Sequence, residues 1–421
     1  MDYYKIANMM RRLERKLIFR AAIYLFVGTG ILFLENPTSG RDLFAAAVII
    51  TCIYFALNLL WNYFHYTGDP YMLPLTFVLC STSLIMLYRL NPIYAVRQFT
   101  WFIIGITTLA VSAVFNYRKL SSYKYLYAAA GAVLLLLPIF FGSERGGAKS
   151  WLQLGSITIQ TSEFVKILLV LFLASYLSQK STELVKEKKS IKGINLPSIE
   201  EWGPLLMMLG ISLIFLVFQK DLGATLIFYG TFLAMIYIST EKISYVFFGS
   251  LLFLMGGSMT YLIFDHVKMR VETWLNPLQY AETAGYQVIQ SIIAFGYGGL
   301  TGAGLGEGFP HFIPAVHTDF IFAAAAEELG LAGALALLIV YMLLIYRGFI
   351  TAAKARDNFS KLLAAGFTSL MALQTFIIIG GTTKLLPLTG VTLPFLSYGG
   401  SSLVSNCIIV GLLMNISSAR T

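Results

Sequence analysis

Apolar residues in this chain come in continuous stretches, each about as long as a bilayer is thick, with short polar breaks between them. Twelve such runs can be marked, at about 17–34, 43–63, 71–88, 99–116, 123–142, 162–179, 203–219, 222–240, 244–264, 320–346, 361–381 and 398–416. The runs are unbroken rather than alternating, so they predict helices. A lipid-exposed helix satisfies its own backbone, whereas a lone strand does not. The pattern therefore predicts an all-α polytopic membrane protein with about 12 transmembrane helices. One stretch departs from it. Between Arg270 and Gly330 stand Glu272, Glu282, Glu307, Asp319, Glu327 and Glu328, the amides Asn276, Gln279, Gln287 and Gln290, His311 and His317, and many glycines. Ionisable groups within or at the edge of a membrane are costly and mark functional positions.

Composition agrees with the pattern. The 421 residues are 57% hydrophobic and 12% charged, with a mean hydropathy of +0.74, which excludes an ordinary soluble domain. The formal net charge of +9 sits in short connections, where it sets orientation rather than binding nucleic acid. Arg11, Arg12, Arg15 and Lys16 place the N-terminus in the cytoplasm. Counting spans from there puts three further basic groups on the same side: Arg118, Lys119 and Lys124; Lys180, Lys186, Lys188, Lys189 and Lys192; and Arg347, Lys354, Arg356 and Lys361. Both termini are then cytoplasmic. The outer side receives 143–161, the turn at 219–221, a large extracytoplasmic loop at about 265–319, and 382–397. The first run lacks a small-residue cleavage site and predicts an anchor rather than a cleaved leader. Cys52, Cys80 and Cys407 lie in apolar runs without metal-ligand spacing and read as small buried hydrophobes.

Several outer positions carry candidate chemistry. Lys149 and Trp151 lie in Gly-Gly-Ala-Lys-Ser-Trp, and Glu163 and Lys166 open the next run at a spacing that pairs them on a helix, with Ser162 or Thr161 as its cap. Asp221 lies in Gln-Lys-Asp-Leu-Gly, which a tight turn explains equally well. Lys384 precedes a loop or re-entrant piece marked by Pro387 and Pro394, which ends in Ser397-Tyr-Gly-Gly-Ser-Ser. The glycines of 296–308 match no phosphate-binding loop; they suit a non-helical segment lying against protein at membrane depth. His317 and Asp319 are two metal-ligand types without a supporting cluster, so no metal site is assigned. Glu327 and Glu328 require partners, for which Arg270, Lys149 and Lys384 are the candidates.

These motifs carry a resemblance. Gly-Tyr-Gln-Val-Ile-Gln-Ser at 285–291, His-Thr-Asp-Phe-Ile-Phe-Ala with Glu-Glu-Leu-Gly at 317–330, and Thr-Gly-Val-Thr-Leu-Pro-Phe-Leu-Ser-Tyr-Gly-Gly-Ser-Ser at 389–402 resemble the SEDS family of FtsW, RodA and SpoVE. Gly-Ala-Lys-Ser-Trp, Ser-Glu-Phe-Val-Lys and Gln-Lys-Asp-Leu-Gly match it too. The resemblance runs over 69–421 and implies a ten-helix core, with 1–68 as a cytoplasmic N-terminus and two additional helices. It implies a peptidoglycan glycosyltransferase that polymerises lipid II, an undecaprenyl-pyrophosphate-linked disaccharide peptide. The enzyme would work at the outer face of the bacterial cytoplasmic membrane with a class B penicillin-binding protein. The expected substrate-binding residues are Lys149, Trp151, Glu163, Lys166, Asp221, Arg270, Gln287, Gln290, His317, Asp319, Glu327, Lys384 and Ser397. A divalent cation such as magnesium or manganese is a candidate cofactor with no ligands assigned to it, and it comes from the His317 and Asp319 residue types rather than from the resemblance.

The chain departs from the family pattern at one position. The resemblance sets an essential Asp where this sequence has Tyr280, in Asn276-Pro-Leu-Gln-Tyr280-Ala-Glu282. Tyrosine is a poor base at neutral pH. Glu282, two residues on, is the expected catalytic carboxylate. The alternative is an inactive scaffold or lipid II-binding regulator of wall synthesis. A lipid II flippase is a third reading, disfavoured because few ionisable residues fall in mid-span.

Overall fold

A computed structural model describes residues 3–35, 37–145, 148–155, 157–185, 189–191, 194–196 and 199–418. Gly146 and Gly147 of the glycine-lysine motif, and Lys186, Lys188 and Lys192 of the basic connection, lie outside the described residues. In chain order the first elements are α1 (Tyr3–Glu35), α2 (Pro37–Tyr63), α3 (Met72–Leu90), α4 (Pro92–Val114) and α5 (Lys124–Phe141). Three strands follow, β1 (Ser143–Arg145), β2 (Ala148–Leu154) and β3 (Ile157–Gln160), and then α6 (Ser162–Val185). After β4 (Lys189–Ile191) and β5 (Ile194–Leu196) come α7 (Ile199–Phe218), α8 (Leu222–Thr240) and α9 (Ile243–Ile263). The remainder is α10 (Asp265–Leu275), α11 (Tyr286–Gly298), α12 (Ile321–Lys354), α13 (Asn358–Thr382) and α14 (Gly400–Ser417).

Among the described residues, 11 helices are long and apolar enough to cross a membrane, and Trp202–Phe218 of α7 is a shorter apolar helix. Together these are the twelve predicted runs. Hydropathy places their centres well and their ends less well. A helix continues as long as its backbone bonds do, so α1 runs back to Tyr3 through the polar Arg11–Lys16 stretch, and α12 runs on to Lys354. Two small antiparallel sheets add to the all-helical plan. The predicted outer loop at 143–161 folds as β1-β2-β3, with Trp151 opposite Gln160.

The chain divides into two compact units. The first comprises Met1–Phe115, Arg270–Arg347 and Thr375–Thr421; the second comprises Asn116–Met269 and Gly348–Gln374. In the first unit α14 packs along α4, and α1 packs on α2 and α3. Small residues permit the close approach: the position of a Cβ on Gly411 is 2.5 Å from the Leu109 carbonyl oxygen. Asn415 on α14 donates to the carbonyls of Ser112 and Phe115. In the second unit α5 packs on α6 and α7, and α8 packs on α6, α7 and α9. No residue of α9 is buried, as suits a helix facing lipid.

Polar anchors gather at one end of the first unit. Arg11 is fully buried and pairs with Glu14 at 2.7 Å; Asn58 on α2 donates to Glu14 at 2.6 Å. Arg11 also donates to the Gly68 carbonyl and lies over the rings of Trp61 and Tyr66. Arg347 pairs with Asp69, whose backbone N–H donates to Ser417 at 2.8 Å. Arg11 is therefore a structural charge rather than a solvated orientation signal.

Candidate functional site

The other end of the first unit holds the polar stretch from Arg270 onward. Its glycine segment is fastened by backbone. The N–H groups of Ala303 and Gly304 donate to the carbonyls of Glu327 and Glu328 at 2.9 and 3.1 Å. Those of Leu331 and Ala332 donate back to Gly299 and Leu300 at 2.9 and 3.2 Å. The exchange opens α12 at Gly330, where φ is 69° and ψ is −175°. The predicted continuous run thus contains a break, and the freed backbone groups are satisfied by the loop.

Glu327 and Glu328 serve this fastening. The Phe309 N–H donates to Glu327 Oε1 at 2.6 Å, and the Gly306 N–H donates to Glu328 Oε2 at 3.3 Å. The cation they needed is none of the three expected. It is Arg89, at the end of α3, which donates to Glu328 Oε1 at 3.1 Å and to the carbonyls of Gly306 and Gly308. Glu327, expected at the substrate, is buried and holds the loop in place. A single arginine closing an apolar run, just before Asn91-Pro92, was the available signal for Arg89.

Beside this loop, α10 is tied to the segment after α13. Arg270 Nη1 donates to the Thr389 carbonyl at 3.0 Å, and the Trp274 indole N–H donates to the Lys384 carbonyl at 3.0 Å. Lys384 is half-exposed, and its ammonium has no hydrogen bond to the described residues. Asp319 Oδ2 lies 3.7 Å from the position of a Cβ on Gly390. Burial pushes the Asp319 carboxyl up to about 6, against the Thr318 hydroxyl and the positive charge of Arg270, which both lower it. Ser397 Oγ donates to the Thr318 carbonyl at 2.5 Å and accepts from the Leu393 N–H at 2.9 Å. Gln287 and Gln290 are half-buried on α11, whose Ser291 donates to the Thr382 carbonyl at 2.8 Å.

Tyr280 closes a 3-10 turn, Pro277–Tyr280, that follows α10. Its half-buried phenol donates to Glu272 Oε2 at 2.7 Å. A carboxylate thus stands at the tip of the tyrosine, supplied from eight residues earlier. Glu282 is exposed and has no hydrogen bond to the described residues. α10 ends at Leu275 and a 3-10 turn follows before Tyr280, so helical spacing does not relate it to Glu272.

The other expected residues belong to the second unit. Glu163 and Lys166 pair at 2.5 Å, both buried, and Lys166 also donates to Gln374 at 3.0 Å. Neither hydroxyl expected to cap α6 does so: Thr161 Oγ1 is buried without a hydrogen bond to the described residues, and Ser162 donates to Asp221 Oδ2 at 3.2 Å, beside Gln160 at 3.3 Å. Asp221 Oδ1 accepts the Ala224 N–H at 3.0 Å and caps α8. Lys149 is exposed on β2 and donates to the Ile139 carbonyl at 2.9 Å, while Trp151 is half-buried on the same strand. Among the described residues no three His, Cys, Asp or Glu come together as ligands for a metal ion, His317 and Asp319 included.

Fold and site together define a polytopic helical membrane protein with a backbone-fastened polar cap. The family described as cell cycle protein, FtsW/RodA/SpoVE, matches residues 67–421, and the chain belongs to it. The peptidoglycan glycosyltransferase RodA of Mycobacterium tuberculosis is 39% identical, over 97% of this chain and 90% of its own length. The stage V sporulation protein E of Bacillus subtilis is 33% identical over 83% of this chain and 96% of its own. The probable peptidoglycan glycosyltransferase FtsW of Coxiella burnetii is 35% identical over 77% and 86%. Among solved structures, a chain of a peptidoglycan synthase complex superposes with a TM-score of 0.68 at 24% identity, over 82% of this chain and 96% of that one. RodA of Thermus thermophilus does so with a TM-score of 0.60 at 22% identity, over 83% and 96%.

Proposed function

We propose that this family member polymerises lipid II into glycan strands at the outer face of the bacterial cytoplasmic membrane, with both termini in the cytoplasm. It is a peptidoglycan glycosyltransferase, the activity for which its RodA and FtsW relatives are named. A class B penicillin-binding protein is the proposed partner. An acceptor sugar hydroxyl attacks the anomeric carbon of a second lipid-linked sugar. The bond from that carbon to the pyrophosphate oxygen breaks, and the electron pair leaves with the pyrophosphate. The acceptor proton passes to a carboxylate. Arg270 and Lys384 offset the charge that develops on the leaving group. A magnesium or manganese ion enters this reading only as a companion of the substrate pyrophosphate.

The observation that carries the reading is the Tyr280–Glu272 hydrogen bond. The position that the family resemblance assigns to the base ends here in a phenol that touches a carboxylate. Glu272 therefore replaces Glu282 as the proposed base. Tyr280 orients it by donating to one of its two oxygens. The test is lipid II polymerisation by the purified full chain with its class B partner. Glu272→Gln should slow polymerisation by at least about a hundredfold, and Glu282→Gln should leave it near wild type. The reverse pattern would return the base to Glu282. Absence of glycan from wild type, in an assay where a relative carrying the usual Asp is active, would favour the scaffold.

A further inference from the structure

Three aromatic side chains from three separate segments meet at the capped end of the first unit. Tyr94, in the first turn of α4, stacks on His317 with ring centres 4.3 Å apart and planes at 15°. Tyr398, just before α14, lies 5.1 Å from Tyr94 and 5.8 Å from His317. The cluster is held by its backbone. The Tyr398 N–H donates to the His317 carbonyl at 2.8 Å, and Gln98 grips both sides of Tyr398, donating to the Ser397 carbonyl at 3.3 Å and accepting from the Gly399 N–H at 3.2 Å.

Two properties set this cluster apart from core packing. All three rings are half-exposed. Their polar tips are also unspent: the phenols of Tyr94 and Tyr398 and both imidazole nitrogens of His317 make no hydrogen bond to the described residues. A buried tyrosine that serves only packing finds a partner for its hydroxyl. Burial holds His317 below its ordinary pKa, so its ring is neutral at pH 7 and offers one donor and one acceptor. An aromatic surface rimmed by neutral donors and acceptors suits a ligand that has an apolar C–H face and hydroxyls at its edge. A pyranose ring is such a ligand. A purely apolar chain would waste the polar tips, and a bare pyrophosphate would gain little from the rings.

We propose that Tyr94, His317 and Tyr398 form a stacking subsite for one pyranose of the lipid-linked glycan, an inference that rests on the lipid II reading above. Tyr94, outside every motif quoted above, and Tyr398, inside the 389–402 motif but not among its expected substrate-binding residues, are then binding residues.

The test compares two probes on the full chain in detergent: lipid II, and undecaprenyl pyrophosphate, which has the same lipid and pyrophosphate without sugar. Tyr94→Ala and Tyr398→Ala should weaken lipid II binding about five- to tenfold each, with undecaprenyl pyrophosphate binding unchanged. Tyr94→Phe keeps the ring and should recover most of the loss. In polymerisation assays the same alanine variants should raise KM more than they lower kcat. Equal binding of lipid II by wild type and both alanine variants, or equal loss for both probes, would overturn the subsite. His317→Phe preserves the stack and keeps the question answerable should an alanine variant unfold. If wild type binds lipid II yet makes no glycan, the polymerase reading fails, while the sugar-dependent loss still decides the subsite.

Discussion

Asp319 shows how one side chain can report on its surroundings. Its ordinary pKa is 3.8, and burial pushes it up to about 6. A carboxyl raised on folding binds its proton more tightly in the folded state. Its contribution to stability is therefore greatest at low pH and diminishes as pH climbs from 3.8 through about 6. Thermal unfolding in detergent should show wild type losing stability relative to Asp319→Asn across that window, with parallel behaviour above it. Equal slopes for the two proteins would mean that the carboxyl is solvated. Residue identities were legible at this scale, but their partners were not. Glu327 and Glu328 announce a need for compensation in any apolar sequence, whereas Arg89 stands 239 positions from Glu328 and only the folded chain unites them. Tyr280 and Glu272 failed for a different reason: a 3-10 turn interrupts the helix between them, and no periodicity spans it.

At the scale of elements, hydropathy located the helices because the bilayer imposes their length. It did not detect the break in α12. The apolar run continues through Gly330, and a dihedral angle leaves no mark on hydropathy. What makes the break possible is mutual approach. The position of a Cβ on Gly330 is 2.2 Å from the Gly302 nitrogen, and that of a Cβ on Gly302, with φ +88°, is 2.2 Å from the Glu328 carbonyl oxygen. Gly302→Ala and Gly330→Ala each force backbone apart at a left-handed position and should cost about 2–4 kcal/mol. Gly296→Ala is the control, since nothing lies within 4 Å of its would-be Cβ. It should be neutral or slightly stabilising, as the helix propensity of alanine predicts. Unfolding midpoints of the three variants would separate these cases.

At the scale of the whole molecule, the family match begins at residue 67, so α1 and α2 lie outside it. The basic N-terminal cluster has the charge pattern of an orientation signal. The structure turns the Arg11 side chain inward onto Glu14 and the Gly68 carbonyl, and Asn58 donates to the Arg11 carbonyl. Arg11→Met would leave the Glu14 carboxylate buried without its cation and should lower stability by about 3–5 kcal/mol. The double change Arg11→Met with Glu14→Leu should recover most of that, because the removed pair no longer has a charge to strand. If both proteins melt at the same reduced temperature, shape rather than charge is what Arg11 provides. Arg11 grips the matched segment by a main-chain oxygen, a group that every sequence possesses. At that contact the helix pair depends on the backbone of the matched segment and not on the identity of a side chain, whereas the Tyr24 hydroxyl of α1, 3.1 Å from that of Thr82 on α3, ties it to one particular side chain.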